Sequence, residues 1–288
     1  MGNKVKILET FRDGIQGLDT FIPTDVKVRV IRSLFNVGFD FIDIGSFVSP
    51  RFVPQFRDME EVLEKVGPPP PGSSVFVLAA SPSGASKACS MAGVDVIGFP
   101  FSTSESFLKK NIHADFSKAR DVMRIIRDVT ERAGKKMIVY LAMAFGNPYG
   151  DPVNGEIVLE WAAWLHEQGI RNIHLSDIIG VATPDQVGSY YHAIHEAFPE
   201  MELGIHLHVR GPAPDGNLLA AFNNGCTIFD GVISGLGGCP MTGYELLGNL
   251  PTRSILEFAD RNNLHIGIDM EKFTAAERFA IDSLNNLA

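Results

Sequence analysis

Three segments of this chain carry residue types that do chemistry, and they make sense only if folding brings them together. Arg12-Asp13-Gly14 stands near the N-terminus and His206-Leu207-His208 in the last third. A glycine-rich run, Gly235-Leu236-Gly237-Gly238-Cys239-Pro240, leads on to Gly248-Asn249. Between them they offer a carboxylate, two imidazoles, an amide oxygen and a thiol. Side chains two apart on a strand share a face, so His206 and His208 can reach one ion. Strand histidines are also common as hydrogen-bonded core residues, and it is Asp13 and Asn249 that turn the reading towards a metal. Two imidazoles with carboxylate and amide oxygens suit Mg²⁺ or Mn²⁺, waters filling the open positions, whereas Zn²⁺ favours a closed tetrahedral set with thiolates. The glycines around Cys239 suit a loop that folds over a substrate; an idle loop thiol is the plainer alternative.

Such residues need strand ends to hold them. Short runs rich in Val, Ile and Phe predict strands at Val5–Thr10, Phe39–Ile44, Ser74–Ala79, Val94–Phe99, Lys136–Leu141, Asn172–Leu175, Leu203–His208 and Thr227–Val232. Helical patterns alternate with them at Thr24–Asn36, Arg57–Val66, Phe116–Ala133, Gly155–Gln168 and Pro184–Ala197. Thr24-Asp25 can cap the first of these, and Gly38, Gly134 and Gly169 follow their helices as stop signals. The alternation predicts an α/β fold, a (β/α)₈ TIM barrel with a short helical extension after Asn263, built as one catalytic domain over 1–288. A doubly wound open sheet competes, but no Gly-x-Gly-x-x-Gly turn follows the first strand. The prolines from Pro68 to Pro71 form a stiff surface loop.

In a barrel the site lies at the C-terminal ends of the strands. Asp13 then follows strand 1, Asp43 closes strand 2, Asp177 follows strand 6, His206 and His208 close strand 7, and Cys239 and Asn249 lie beyond strand 8. Lys109-Lys110-Asn111 follows strand 4, where the lysines can meet a phosphorylated tail or simply begin a solvated helix. The pair Lys135-Lys136 precedes strand 5 and so faces the opposite end.

Composition narrows the partners. The 288 residues are 45% hydrophobic and 20% charged, with a net charge of −9 and a pI near 5.4. That balance excludes nucleic acid and anionic membrane surfaces as partners and leaves small anionic ligands, which a local basic patch can hold. No apolar run approaches the ~18 residues of a membrane span. The N-terminus lacks the apolar stretch of a signal peptide. The three cysteines, Cys89, Cys226 and Cys239, have no disulfide-like spacing, so the expected setting is the cytoplasm.

These residues bring a family into view. The chain resembles 3-hydroxy-3-methylglutaryl-CoA lyases, members of the metal-dependent lyase and aldolase barrels, from Ile7 to about Asp269. The resemblance rests on Arg12-Asp13-Gly14-x-Gln16, Ser46-Phe47-Val48-Ser49-Pro50, Lys109-Lys110-Asn111-Ile112, Gly180-Val181-x-Thr183-Pro184, His206-x-His208 and Gly-Leu-Gly-Gly-Cys239-Pro240. It implies metal ligands at Asp13, His206, His208 and Asn249, and catalytic residues at Arg12, Asp43 (usually Glu) and Cys239. Substrate or CoA contacts fall at Gln16, Lys109, Lys110 and Asn111. The implied reaction is a metal-dependent retro-Claisen cleavage of an acyl-CoA to acetyl-CoA and a keto acid. In it Arg12 steadies the thioester oxyanion and Cys239 protonates the departing carbanion. Asp43, His206 and a hydroxide on the metal are all open as the base. The resemblance further implies a homodimer and a place in leucine degradation or ketone-body metabolism. An aldolase or Claisen-type synthase on a related acid, and a ligand-binding homologue that has lost turnover, are the competing readings.

Several positions depart from the family pattern. Val209-Arg210 follows the histidine pair where Asp is usual, Ile178 follows Asp177 in place of Thr, and His174 replaces a serine. Asp19 takes the place of a CoA-holding lysine and Arg253 that of an acid, and the loop from Cys239 to Asn249 is one residue longer. Asp19 should repel phosphates, while Arg210 and Arg253 should add positive charge near the acyl group.

Overall fold

The computed structural model describes residues 4–209, 211, 214–237 and 247–285. Eight parallel strands form among them: β1 (Lys6–Glu9), β2 (Phe41–Ser46), β3 (Ser74–Leu78), β4 (Val96–Ser102), β5 (Lys136–Ala142), β6 (Asn172–Asp177), β7 (Glu202–Val209) and β8 (Cys226–Gly231). Each pairs with the next in chain order, and β1 pairs with β8, so the sheet closes on itself as a (β/α)₈ barrel. A ninth strand, β9 (Gly248–Asn249), lies antiparallel on β7 and sets Asn249 opposite His208. Around the barrel stand α1 (Phe11–Ile15), α2 (Thr24–Phe35), α3 (Met59–Val66), α4 (Pro82–Ser90), α5 (Glu105–Asn111), α6 (Phe116–Arg132), α7 (Gly155–Glu167), α8 (Pro184–Ala197), α9 (Asp215–Asn223), α10 (Thr252–Arg261) and α11 (Met270–Asn285). No helix among the described residues is long and apolar enough to cross a membrane.

The two-residue period of the strands sorts their side chains. Leu8, Phe41, Phe76, Val96, Ile138, Tyr140 and Ile228 form one cluster that fills the barrel interior. Alternate residues such as Ile7, Ile42, Val75, Ile97, Val139, Ile173 and Phe229 belong to the larger core shared with the helices. On β2, β7 and β8 the inward line turns polar towards the C-terminal end. Asp43 comes two residues after Phe41, Asp230 two after Ile228, and His206 and His208 lead out of β7. The barrel therefore has an apolar floor and a polar, buried upper layer, and that layer is where a site can be built.

Several expectations need correcting. The stretch after β1, to which the sequence pattern assigned no helix, is a short helix, α1, which raises Arg12 and Asp13 into the polar layer. By contrast, α5 carries the lysine pair as the solvated-helix alternative had it, and the helical extension expected after Asn263 is the 16-residue α11, which buries Phe273, Ala276 and Ala280. Thr24 and Asp25 do not cap α2. Pro23 holds the cap position, the Thr24 hydroxyl donates to Asp58, and Asp25 pairs with Lys65.

One buried acid braces the loop after β8. Glu9 faces outward from β1, fully buried, and accepts the Ile233 N–H at 2.8 Å and the Thr252 hydroxyl at 2.5 Å. Burial dominates these bonds and pushes its carboxyl up to about 8. A folded-state pKa raised above the unfolded value of 4.5 contributes stability that is fully present below 4.5 and is lost as pH rises through 8. Glu9→Gln keeps an acceptor for Ile233 and removes the ionisation. Relative to wild type it should gain about 2–4 kcal/mol in stability at pH 8.5 and almost nothing at pH 5. Thermal melts across that range read the difference; an advantage that does not grow with pH means that Glu9 is ionised in the folded protein.

Candidate active site

The polar layer gathers around Asp13. One ligand atom from each of Asp13, His206 and His208 lies within 4.8 Å of the others, a spacing that can hold a metal ion. Both imidazole Nε2 atoms stand 3.8 Å from Asp13 Oδ2. Arg12 Nη1 and Gln16 Nε2 each donate to Asp13 Oδ1 at 2.6 Å, which leaves Oδ2 facing the histidines. Asn249 donates its amide N–H to Leu236 O at 2.8 Å, and its Oδ1 is buried with no donor among the described residues. A buried amide oxygen without a partner is costly, and a cation beside it removes the cost.

The electrostatics suit that reading. Burial alone would protonate Asp13, yet Arg12, His206 and His208 outweigh it and hold the carboxyl below its ordinary range. Burial, with His206 beside it, pushes His208 down to about 4, so its ring is neutral at pH 7 with a lone pair to give. Burial also works against charge on His206, but Asp230 and Asp13 prevail and raise its pKa. Behind these, Arg12 Nε donates to Asp43 Oδ2 at 2.8 Å. Burial outweighs Arg12 there and pushes Asp43 up to about 7. Asp43 is fully buried in mid-strand, not at the strand end, and reaches the site through Arg12.

A cavity of about 90 Å³ opens above, lined by Arg12, Asp13, Gln16, Asn111, Ser176, Ile178, His206 and His208. It adjoins a cleft of about 400 Å³ that shares Gln16, Leu78, Pro100 and Asn111 with it and runs on past Ser49 to Lys110 and His113. Lys110 and Asn111 thus stand at the site, with Lys110 lying 4.3 Å over the Tyr149 ring. Lys109 points elsewhere: it is exposed and pairs with Glu105 one turn back. The cleft at the other end of the barrel, about 450 Å³, is bordered by Lys135, Lys136, Arg171 and Glu202, where sequence placed that lysine pair.

Besides Lys109, two expected contributors are not at the site. Asp177 falls on the outward phase of β6, and its carboxylate accepts the Ile179 and Ala182 N–H groups, tying down the following loop. Arg253 turns into the helix layer, where it pairs with Glu277 and lies 5.1 Å over the Phe273 ring. It adds no charge near an acyl group. Asp19 is exposed on the turn before α2. Cys239 and Arg210 lie outside the described residues.

The structure adds one residue that pattern reading passed over. Asp230 is buried on β8 with Oδ2 2.9 Å from His174 Nδ1 and 3.4 Å from His206 Nδ1. Burial opposes its charge, but the two imidazoles hold its carboxyl below the ordinary range. An acid inside an otherwise apolar strand was itself the signal that could have found it, since unpaired acids are almost never fully buried.

Comparison with known proteins now has a geometry to attach to. The HMGL-like family model matches residues 4–280. The mitochondrial hydroxymethylglutaryl-CoA lyase of Gallus gallus is 30% identical over 283 residues, 98% of this chain and 94% of that protein. The solved HMG-CoA lyase of Bacillus subtilis superposes with a TM-score of 0.91 at 30% identity, covering 99% of this chain and 96% of the other. An HMG-CoA lyase from Acinetobacter baumannii, solved with coenzyme A and 3-methylmalate, superposes with a TM-score of 0.90 at 27% identity, over 98% of this chain and 92% of that one. With the match spanning nearly its whole length, the chain belongs to the HMGL-like family and is a carbon–carbon lyase of that kind.

Proposed function

We propose that this protein cleaves 3-hydroxy-3-methylglutaryl-CoA, or a closely related 3-hydroxyacyl-CoA, to acetyl-CoA and a keto acid. In this reading Asp13, His206, His208 and Asn249 hold Mg²⁺ or Mn²⁺. The carrying observation is the pairing of a three-residue ligand cluster with a buried arginine that borders the same cavity. When bound, the ion supplies a Lewis acid that lowers the pKa of a tertiary hydroxyl. Arg12 is fixed by Asp43 through Nε and by Asp13 and Gln16 through Nη1, and its Nη2 makes no hydrogen bond among the described residues. That leaves donors, already oriented, for an oxyanion forming on a thioester carbonyl. The near-complete burial of Arg12, Asp13 and His208 keeps water from competing for those contacts. The adjoining cleft with Lys110 and Asn111 offers room for the thioester's long arm, in keeping with the coenzyme A bound in the A. baumannii relative.

The test is turnover. Metal-free protein reloaded with Mg²⁺ or Mn²⁺ should release acetyl-CoA and a keto acid from at least one 3-hydroxyacyl-CoA, and a chelator should stop it. Consumption of acetyl-CoA with a 2-oxo acid, without cleavage of any thioester, would replace the lyase by a synthase. The cytoplasm as its setting belongs to the same proposal, supported by Cys89 and Cys226, which are unpaired among the described residues; a homodimer belongs to it on the family resemblance alone.

A further inference from the structure

The upper layer contains an imidazole that the reaction as read above does not use. His174 is fully buried on the inward face of β6, and its Nδ1 lies 2.9 Å from Asp230 Oδ2. The same oxygen is 3.4 Å from Nδ1 of His206, and His206 stands directly across from Asp230 in the β7–β8 register. Because Asp230 occupies the Nδ1 side, the ring atom that His206 turns towards Asp13 is Nε2. The chain has made room for this extra ring. His174 is paired in register with Gly204, where a Cβ would come within 2.3 to 2.6 Å of three of its ring atoms. The edge of Tyr140 confines both imidazoles, with ring centroids 5.4 Å from His174 and 5.6 Å from His206.

We infer that His174 is a positioning residue for the metal centre: it anchors Asp230, and Asp230 in turn fixes the His206 ring with Nε2 aimed at the ion. The inference rests on the metal reading given above. A carboxylate held to one side of a ligating imidazole sets both its tautomer and its angle, and losing such an outer partner typically costs about 10–100-fold in metal affinity. With a bare carboxylate in that place, Asp230 would be free to swing between β6 and β7. With His174 bonded to it, the carboxylate is committed to the rotamer that also meets His206. The competing account is that His174 is only a plug filling the barrel where Gly204 leaves space.

The two accounts differ over whether an N–H or a volume matters, and two variants separate them. His174→Asn places an amide N–H close to the position of Nδ1 while leaving a void. His174→Leu keeps the bulk and removes the N–H. Mn²⁺ binding to metal-free protein, read by electron paramagnetic resonance, should stay within about threefold of wild type for His174→Asn and weaken about tenfold or more for His174→Leu. Melting temperatures should follow the same order, because His174→Leu leaves the buried Asp230 carboxylate without its donor, whereas a mere plug would make the void in His174→Asn the more damaging. If His174→Leu fails to fold, His174→Gln takes its place with the same expectation, since its amide nitrogen reaches towards Nε2 and not Nδ1. Wild-type Mn²⁺ affinity in the variant lacking the Nδ1 donor overturns the inference and leaves His174 as packing. Wild-type protein that binds no Mn²⁺ overturns the metal reading itself, and this inference falls with it.

Discussion

Asp13→Asn should lose Mn²⁺ binding by well over about 100-fold, more than the loss of any outer-shell partner, and activity should fall with it. Asp13 is the anionic member of the cluster and ties it to Arg12 and Gln16. Oδ2 faces both imidazoles at 3.8 Å, while Oδ1 takes hydrogen bonds from Arg12 and Gln16. The amide of Asn keeps an oxygen for the second set of contacts and removes the negative charge from the first. Shape is thus nearly conserved, and what is lost is the anion that offsets a divalent charge in a buried place. His208→Ala should come close behind, because that ring stays neutral at pH 7 and gives its lone pair without first releasing a proton. Soaking crystals of wild type and Asp13→Asn in Mn²⁺ provides the check. An anomalous peak beside the three side chains is expected in the first and none in the second. A peak of equal height in both would remove Asp13 from the ligand set.

How much of this was legible beforehand follows the periods of the backbone. Alternation of apolar strands and amphipathic helices gave the barrel, because both signals are local and each repeats many times. The two-residue period also made His206 and His208 neighbours on one face, as they are. The same period, applied to Asp177, would have turned it away from the lumen. Reading it simply as a polar group at a strand end placed it at the site, when its carboxylate serves the backbone of residues 179–182. Arg253 was misplaced for a different reason. Its destination is Glu277, a helix away and 24 residues on, and no local pattern encodes a choice between that partner and the barrel mouth. Long-range choices of this kind also hid β9, a two-residue strand too short to carry a pattern, yet it is what brings Asn249 beside His208. His174 and Asp230 were each visible as a polar residue on an apolar strand. Their pairing across 56 residues was not.

Arg12 should give the largest loss of turnover with the least loss of metal. Its guanidinium is used as a fork, with Nε on Asp43 at 2.8 Å and Nη1 on Asp13 and Gln16 at 2.6 and 3.1 Å. The remaining nitrogen is therefore held at a fixed angle before any substrate arrives, and preorganised donors are the kind that favour a transition state over a ground state. Removing one such donor costs about 10²–10³ in kcat. Arg12→Gln should show at least that drop, with Mn²⁺ affinity changed only severalfold and KM little altered. Arg12→Lys should rescue little, since one ammonium cannot bridge Asp43 and Asp13 and still present a donor to the cavity. Arg12→Gln also strips Asp43 of its counter-charge. That carboxyl already stands near 7, and losing Arg12 can only raise it further. A folded-state pKa raised further costs nothing below 7 and more with each unit above it, so the stability deficit arising from Asp43 should widen from pH 7 to pH 9. Parallel pH series of kcat and thermal melting separate the two effects: the kcat loss should persist at pH 6.5, where the Asp43 penalty is small. Near-normal kcat in Arg12→Lys would mean that the site needs only a positive charge, and the oriented fork would have no part in the reaction.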